Sequence, residues 1–314
     1  MVYIGIDLGG TNIAVGVVSE TGSILAEASV KTLAQRPSDE IIRDMAACTQ
    51  KALTKAGLTE NDVKSIGIGV PGIADEDTGM VISCTNLGWF NVPLRREMQK
   101  YINKPVLIGN DANVAALAES YVGVSAGCKS SVMITLGTGV GGGIVIGGRQ
   151  WAGAHGRGGE IGHMTLVPDG VPCTCGNDGC VERYCSATAL IRMAKQEVVS
   201  FPDSLILQKA GGDPEKINAK IVIDAAKEGD APALRVFNAF VKYLALTINN
   251  LTSFLDPEMI VLGGGVSHAG DFLLDALKEL LPRYKMFKPL PLPRLELARL
   301  GNEAGIIGAA MLGK

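Results

Sequence analysis

Two segments of this chain, one in each half, share the pattern of an apolar strand, a glycine-rich turn and a second apolar strand. The turns are Leu8–Asn12 and Gly137–Gly143. Glycine leaves backbone N–H groups open to close approach, so each turn is a candidate phosphate-binding loop, although glycines between strands more commonly serve tight hairpins. Because the pattern occurs twice, we expect two lobes of similar plan. The predicted flanking strands are 3–7, 13–18, 132–136 and 144–146.

Strands and helices alternate along the rest of the chain. Two further strands run into glycines, at 66–72 and 260–265. A helix is predicted to begin at Ser38 and to end at Gly57, and apolar residues at three- and four-residue spacing predict a second helix over 234–251. The alternation indicates an α/β fold. A chain of 314 residues also exceeds the size that one core usually supports, about 250–300 residues.

The charge balance and the apolar pattern indicate whether the protein binds nucleic acid or a membrane. The chain has 29 lysines and arginines against 32 aspartates and glutamates, without a long run of either sign, so a nucleic-acid partner is not indicated. Asp7 interrupts the first apolar stretch, which argues against a signal peptide. The uncharged window 130–148 is so rich in glycine that it predicts two strands around a turn rather than a membrane span. We therefore expect a cytoplasmic protein without a membrane partner.

Neither glycine turn matches a P-loop, because no Gly-Lys-Ser or Gly-Lys-Thr follows the glycines, and no dinucleotide fingerprint is present. Asp7 stands at the end of the first predicted strand. Its carboxylate could hold the water shell of a Mg²⁺ ion that bridges phosphate groups. Its ordinary role would be that of a turn residue.

Asn110 and Asp111 lie at a predicted junction between a strand over 105–109 and a helix over 112–121. The common use of both residue types at such a junction is to cap the helix. At the mouth of a binding site the same geometry would aim Asp111 at a bound hydroxyl group, as phosphoryl transfer requires of its catalytic carboxylate. The spacing alone favours the cap.

Three of the seven cysteines are crowded into Cys173–Cys180, and His163 lies shortly before them. The stretch is rich in turn residues, so Cys173, Cys175 and Cys180 could converge with His163 on a tetrahedral zinc ion. Four protein ligands imply a structural metal, because catalytic zinc keeps one position open. The crowded cysteines fit a metal site in a reducing compartment better than a disulfide framework, and the alternative is three free thiols beside an unrelated histidine.

Two acidic residues accompany this candidate metal site. Glu160 lies within Gly158–His163, and Glu182 follows Cys180. Carboxylates near a metal-ordered loop could hold sugar hydroxyl groups, whereas a single acid is more often a solvated surface group.

Taken in order along the chain, these motifs resemble those of ROK-family sugar kinases. The resemblance covers essentially the whole chain, and the cysteine cluster makes it specific. Two residues depart from the family pattern: Gly109 stands where many members carry an acid, and Cys185 stands where a small unreactive residue is usual. The motifs are Asp7–Asn12, Asn110–Asn113, Gly137–Gly143, Glu160–His163, Cys173–Cys180 and Gly301–Gly305.

The resemblance implies a two-lobed α/β fold of the actin and hexokinase, or ribonuclease H-like, type. Each lobe would contain a mixed sheet with flanking helices, and the active site would lie in the cleft between the lobes. The expected N-terminal lobe comprises 1–114, to which a C-terminal helix over 302–314 returns, and the expected C-terminal lobe comprises 115–301 with the zinc site. A homo-oligomer, either a dimer or a tetramer, is also expected.

The resemblance further implies ATP-dependent phosphorylation of the 6-hydroxyl group of a hexose, with glucose as the expected acceptor, Mg²⁺ accompanying ATP, and a structural zinc ion. Asp111 would be the general base, and His163 would bind zinc with one ring nitrogen and sugar with the other. The sugar ligands would be Gly72, Asn110, Asp111, Glu160, His163 and Glu182. The nucleotide ligands would be Asp7, Gly9, Gly10, Thr11, Asn12, Gly137, Thr138, Gly139, Gly264 and Gly265.

Four alternatives stay open at this point. N-acetylmannosamine, fructose, allose or mannose could replace glucose, and polyphosphate could replace ATP. A sugar-sensing regulator of the same family would need a DNA-binding domain before the first strand, for which a strand beginning at Tyr3 leaves no room in this sequence. An actin-like filament ATPase would need neither the zinc ligands nor the Asn110–Asp111 pair.

Overall fold

The computed structural model describes all residues, Met1–Lys314, which fold into two compact units. Unit 1 comprises Met1–Met133, Gly143–Gly159 and Arg299–Lys314, and unit 2 comprises Ile134–Gly142 and Glu160–Ala298. Both units contain strands and helices, so the predicted two-lobed α/β class is confirmed. The lobe boundaries expected from the family resemblance stay a prediction.

The elements follow the alternation that the sequence indicates. The strands are β1 Val2–Leu8, β2 Asn12–Val18, β3 Ile24–Lys31, β4 Val63–Val70, β5 Ile73–Asp75, β6 Met80–Cys84, β7 Trp89–Val92, β8 Val106–Asn110, β9 Ser130–Leu136, β10 Val140–Ile146, β11 Arg149–Gln150, β12 Met259–Gly263 and β13 Arg294–Leu297. The helices are α1 Ser38–Ala56, α2 Leu94–Met98, α3 Asp111–Tyr121, α4 Glu182–Cys185, α5 Ala187–Ser200, α6 Leu205–Lys209, α7 Ala219–Lys227, α8 Ala231–Leu255, α9 Asp271–Tyr284 and α10 Ala304–Met311.

Unit 1 is built around a mixed sheet with the strand order β3-β2-β1-β4-β8. β1 pairs antiparallel with β2 and parallel with β4. Side chains alternate between the two faces of β1, so Ile4 and Ile6 join the core that includes α1, while Tyr3 packs with α10. Gly5 and Gly67 lie under α10, where a Cβ atom would overlap the carbonyl oxygens of the helix. These glycines therefore let α10 pack directly on the sheet.

Two further sheets contain the remaining strands. Strands β5, β6 and β7 form a separate antiparallel sheet in unit 1. A further five-stranded sheet has the order β11-β10-β9-β12-β13, in which β12 and β13 are parallel.

The long helix α8 forms part of the core of unit 2. Its buried residues follow the spacing predicted from the sequence, and Pro257 lies just beyond its end. Among the residues of the predicted stripe, Leu234 alone is only half-buried. By length and composition α8 could cross a membrane, but 56% of its apolar window is buried inside the protein, as in a core helix.

Two local predictions differ in detail from the structure. Helix α1 begins at Ser38 as predicted and is terminated by Gly57 at its C-cap, but Pro37 occupies the N-terminal capping position and no side chain caps the helix. The second glycine turn, predicted over Gly137–Gly143, is shorter than expected, because β10 already begins at Val140. The uncharged window of the sequence thus forms two strands around a turn, as predicted.

Candidate active site

The junction of β8 and α3 in unit 1 carries Asn110 and Asp111. The Asn110 side chain accepts hydrogen bonds from the N–H groups of Ala112 and Asn113, at 3.0 and 3.1 Å, and therefore caps the helix. Its Nδ2 group donates to the carbonyl oxygen of Gly72 at 3.0 Å. Asp111 is the first residue of α3, and its Oδ1 accepts the Ala112 N–H group at 2.8 Å. The capping role that the spacing suggested for both residues thus belongs mainly to Asn110.

Asp7 lies in β1 beside α10. Gly305 of α10 leaves space for it, since a Cβ atom there would come within 2.7 Å of Asp7 Oδ2. Burial raises the pKa of Asp7, because desolvation penalises the ionised carboxylate. A nearby cation would oppose this penalty, so the position suits a carboxylate that holds the water shell of Mg²⁺.

The first glycine turn (Gly9–Asn12) joins β1 to β2 in unit 1. The Gly9 N–H group donates to the Asn12 carbonyl oxygen at 2.9 Å and closes the turn. Thr32 holds the turn from the side of β3: its hydroxyl donates to the Gly9 carbonyl oxygen at 2.6 Å, and its N–H donates to that of Thr11 at 2.9 Å. None of these bonds uses the N–H groups of Gly10 and Thr11.

The second glycine turn (Gly137–Gly139) joins β9 to β10 in unit 2. The Gly137 N–H group donates to the Gly139 carbonyl oxygen at 3.0 Å. The carbonyl oxygen of Gly137 accepts the Ala187 N–H group at 2.8 Å, and that of Thr138 accepts the Thr188 hydroxyl at 2.7 Å. None of these bonds uses the N–H groups of Thr138 and Gly139.

Glu182, the first residue of α4, lies against the second glycine turn. Its Oε2 accepts the Val140 N–H group at 3.0 Å. A Cβ atom on Gly139 would overlap this carboxylate, so the glycine makes room for the acid. Sequence reasoning missed this contact, and no local signal could have revealed it, because the two partners are 42 positions apart.

Gly264 and Gly265 follow β12 in unit 2. Gly264 has a φ of 82°, and a Cβ atom on it would lie 2.7 Å from backbone atoms of Leu136, the residue before the second glycine turn. Its carbonyl oxygen accepts hydrogen bonds from both the N–H and the hydroxyl of Ser267, at 3.1 and 2.7 Å. Gly264 therefore lies next to the second glycine turn, while a Cβ atom on Gly265 would contact nothing within 4 Å.

The four predicted metal ligands converge in unit 2. The ligand atoms of His163, Cys173, Cys175 and Cys180 all lie within 4.8 Å of one another. Cys173 Sγ is 3.7 Å from His163 Nδ1, and Cys175 Sγ is 3.6 Å from Cys180 Sγ. Zinc–sulfur bonds of about 2.3 Å and zinc–nitrogen bonds of about 2.0–2.1 Å separate tetrahedral ligands by about 3.5–3.8 Å. These two spacings match those of tetrahedral zinc ligands, and all four ligand atoms lie close enough together to be candidates for one ion.

The backbone around the cysteines forms the turns that this convergence requires. The Cys173 N–H group donates to the Asn177 carbonyl oxygen at 2.8 Å, and the Gly176 N–H group donates to that of Cys173 at 3.1 Å. Burial, together with hydrogen bonds to the neighbouring thiols, raises the pKa of Cys180 to about 12. A bound cation would reverse this effect and favour the thiolates that metals require.

Glu160 stands immediately before the short 3₁₀ turn Ile161–His163, whose last residue is a candidate metal ligand. The Glu160 carbonyl oxygen accepts the His163 N–H group at 3.1 Å. Glu160, His163 and Glu182 therefore all belong to unit 2, whereas Gly72, Asn110 and Asp111 belong to unit 1.

The structure shows the surroundings of the two residues that depart from the family pattern. At Gly109, a Cβ atom would lie 3.0 Å from Gln150 Nε2, so the Gln150 side chain occupies the neighbouring space. Cys185 is fully buried and is not one of the candidate metal ligands, and its Sγ lies 4.0 Å from Thr247 Oγ1. Burial raises the pKa of Cys185 to about 12, which makes this thiol a poor nucleophile.

Comparison with known proteins places the chain in a family. The ROK family model matches residues 3–314. The chain is 39% identical to a glucokinase of Halalkalibacterium halodurans, with 99% of this chain and 94% of that protein covered. It is 38% identical to a glucokinase of Thermotoga maritima, with coverages of 98% and 96%. A solved structure of a ROK family glucokinase from Streptomyces griseus, in complex with glucose and AMPPNP, is similar with a TM-score of 0.82 and 36% identity over 99% of both chains. The resemblance noted in the motifs is thereby confirmed, and this protein belongs to the ROK family.

Proposed function

We propose that this protein is a cytoplasmic kinase that transfers the γ-phosphoryl group of ATP to the 6-hydroxyl group of a hexose, with glucose as the preferred acceptor. The observation that carries the proposal is the junction of β8 and α3. Because Asn110 caps the helix there, Asp111 is not needed as the cap and suits the role of general base. The glucokinase relatives support glucose as the acceptor, and the bound AMPPNP of the Streptomyces griseus structure supports ATP as the donor.

Phosphoryl transfer depends on positioning and charge stabilisation more than on covalent chemistry with the protein. As the sugar 6-oxygen bonds to the γ-phosphorus, its proton passes to the Asp111 carboxylate, the bond from that phosphorus to the bridging oxygen breaks, and ADP leaves. Burying the sugar among hydrogen-bonding side chains fixes its 6-hydroxyl in line with the phosphate. The residues proposed to hold the sugar hydroxyl groups are Gly72, Asn110, Glu160, His163 and Glu182.

The nucleotide is held by the two glycine turns and by Gly264 and Gly265. Backbone N–H groups in such turns attract phosphate oxygens and allow their close approach. Gly264 and Gly265 would contact the adenosine side. Mg²⁺, with a water shell held by Asp7, would neutralise part of the phosphate charge.

We also propose that the cysteine cluster holds zinc through three thiolates and His163 Nδ1. The distances described above and the softness of the sulfur donors support zinc. With four protein ligands the ion is structural, and His163 Nε2 is left to contact a sugar hydroxyl group. The expected homo-oligomeric state stays a prediction.

An ADP-release assay across a panel of hexoses tests the proposal. Glucose, mannose, fructose, allose and N-acetylmannosamine should each be offered with ATP and with polyphosphate. We expect the highest kcat/KM for glucose with ATP, and a product phosphorylated at the 6-position. Sugar binding without any phosphoryl transfer would instead favour a sugar-sensing regulator, and the absence of both would contradict the proposed function.

A further inference from the structure

Thr188, at the start of α5, is not one of the predicted site residues, yet its side chain makes a hydrogen bond to the second glycine turn. Its Oγ1 donates to the carbonyl oxygen of Thr138 in the second glycine turn, at 2.7 Å and 50 positions away. The neighbouring Ala187 N–H group donates to the carbonyl oxygen of Gly137 at 2.8 Å. Two successive carbonyl groups of the turn are thus tied to the first turn of α5.

Because the peptide bond is planar, these two hydrogen bonds also determine the direction in which the next N–H groups of the turn point. All peptide bonds in the structure are trans, and in a trans peptide the C=O of one residue and the N–H of the next point in opposite directions. Because the carbonyl groups of Gly137 and Thr138 point towards α5, the N–H groups of Thr138 and Gly139 point away from it. Successive N–H groups that point the same way form an anion-binding concavity.

Without the Thr188 bond, the peptide plane between Thr138 and Gly139 can rotate more easily. Glycine populates both signs of φ, so a Cβ atom does not oppose the rotation at Gly139. The rotated peptide would present a carbonyl oxygen, instead of an N–H group, to the phosphate oxygens. The turn would then repel the phosphate oxygens at this position instead of attracting them.

Thr32 repeats this arrangement at the first glycine turn. Its hydroxyl and its N–H group hold the carbonyl oxygens of Gly9 and Thr11, at 2.6 and 2.9 Å. By the same trans geometry, the Gly10 N–H group points away from Thr32. Thr32 follows β3 in unit 1 and Thr188 lies in α5 in unit 2, so the same device occurs in two separate elements.

We propose that Thr188 and Thr32 are positioning residues that lock the peptide planes of the two glycine turns, so that their N–H groups face the phosphates of the nucleotide. This inference rests on the proposed function, in which the turns bind the phosphates of ATP.

Direct titration with Mg²⁺ and AMPPNP tests the lock, together with KM values for ATP and glucose. Thr188→Val keeps the side-chain shape but removes the donor. The loss of one ordinary hydrogen bond predicts AMPPNP binding weaker by about fivefold and a similar rise in the KM for ATP. The KM for glucose and the melting temperature should stay near wild type, because Thr188 is exposed. Thr188→Ser retains the hydroxyl and should restore nucleotide affinity.

Matched variants separate the lock from a general effect of losing a threonine hydroxyl. Thr54 is also exposed, and its Oγ1 donates to the Gln50 carbonyl oxygen in α1 at 2.9 Å, so Thr54→Val should leave AMPPNP binding unchanged. Thr32→Val should weaken AMPPNP binding, and Thr32→Ser should restore it. Because Thr32 is buried, both variants are titrated after circular dichroism has shown that they are folded.

Three outcomes would overturn the proposal. The first is that Thr188→Val binds AMPPNP as tightly as wild type. The second is that Thr188→Ser binds it as weakly as the valine variant. The third is that glucose affinity and melting temperature of Thr188→Val fall in proportion to its nucleotide affinity. A wild-type protein that binds no AMPPNP would instead contradict the proposed function, so the two failures are distinguishable.

Discussion

Replacing Asp111 by asparagine separates catalysis from helix capping. The substitution keeps the size of the side chain and an amide oxygen that can still accept the Ala112 N–H group, now at 2.8 Å from Asp111 Oδ1. It removes only the carboxylate. Because Asn110 makes the two capping hydrogen bonds, the start of α3 should persist in the variant.

The two expected magnitudes are far apart. Loss of a general base lowers turnover by about 10²–10⁴, which corresponds to about 2.7–5.4 kcal/mol of activation free energy. The free energy of unfolding should change by no more than about 0.5 kcal/mol, as is usual where no cap or core contact is lost. Removal of the cap itself by Asn110→Ala should destabilise the protein by about 0.5–2 kcal/mol.

The assay combines turnover at saturating glucose and ATP with denaturant unfolding and a titration of glucose. For Asp111→Asn we expect a large loss of kcat, a much smaller change in glucose affinity, and unfolding close to wild type. Asn110→Asp is a useful comparison, since aspartate caps as well as asparagine but cannot donate to the Gly72 carbonyl oxygen. Near-normal turnover of folded Asp111→Asn would eliminate Asp111 as the base. A loss of stability in Asp111→Asn that exceeds that of Asn110→Ala would contradict the assignment of the cap.

Three further predictions concern Asp7, the cysteine cluster and the second glycine turn. Burial raises the pKa of Asp7 above its ordinary value of 3.8, so the ionised carboxylate opposes folding at neutral pH. Asp7→Asn should therefore raise the melting temperature of the nucleotide-free protein at pH 7, and this gain should vanish as the pH falls to about 3.8 and below. The Mg²⁺-dependent affinity for AMPPNP should fall in the same variant. A lower melting temperature at pH 7 would refute this prediction. Metal analysis should find about one zinc per chain, and Cys175→Ser should lower both metal content and glucose affinity, whereas unchanged values of both would refute the site. Gly139→Ala should displace the Glu182 carboxylate and cost about 1.5–3 kcal/mol in denaturant unfolding, the range for a hydrogen bond to a charged group. For Gly137→Ala, the Cβ atom would lie no closer than 3.9 Å to any atom beyond its chain neighbours, so this variant should cost about 0.5 kcal/mol or less. Equal costs of the two variants would show that the Glu182 contact does not matter.

Much of the local structure could be predicted from the sequence, because it depends on residues close together in the chain. The apolar spacing of α8 and the glycine at the end of α1 each identify an element by short-range periodicity or backbone preference. The candidate metal ligands could also be identified from the sequence, since Cys173–Cys180 lie in one short turn-rich stretch and His163 lies close before it. The Asn110–Asp111 junction was located correctly, but not which of the two side chains caps the helix.

The remaining features required the tertiary structure. Glu182 accepts a hydrogen bond from Val140, which is 42 positions away, and Thr188 donates one to a turn residue 50 positions away. Neither contact leaves a pattern in the local sequence. Gly5 and Gly67 lie within the predicted stretches 3–7 and 66–72, but only the structure shows that they let α10 approach the sheet. The sequence by itself determined the elements and the chemistry that each could carry, because those depend on interactions within a few residues. Only the packing of distant elements decided which side chains orient the glycine turns, since hydrogen bonds between remote positions form only when the fold brings their atoms together.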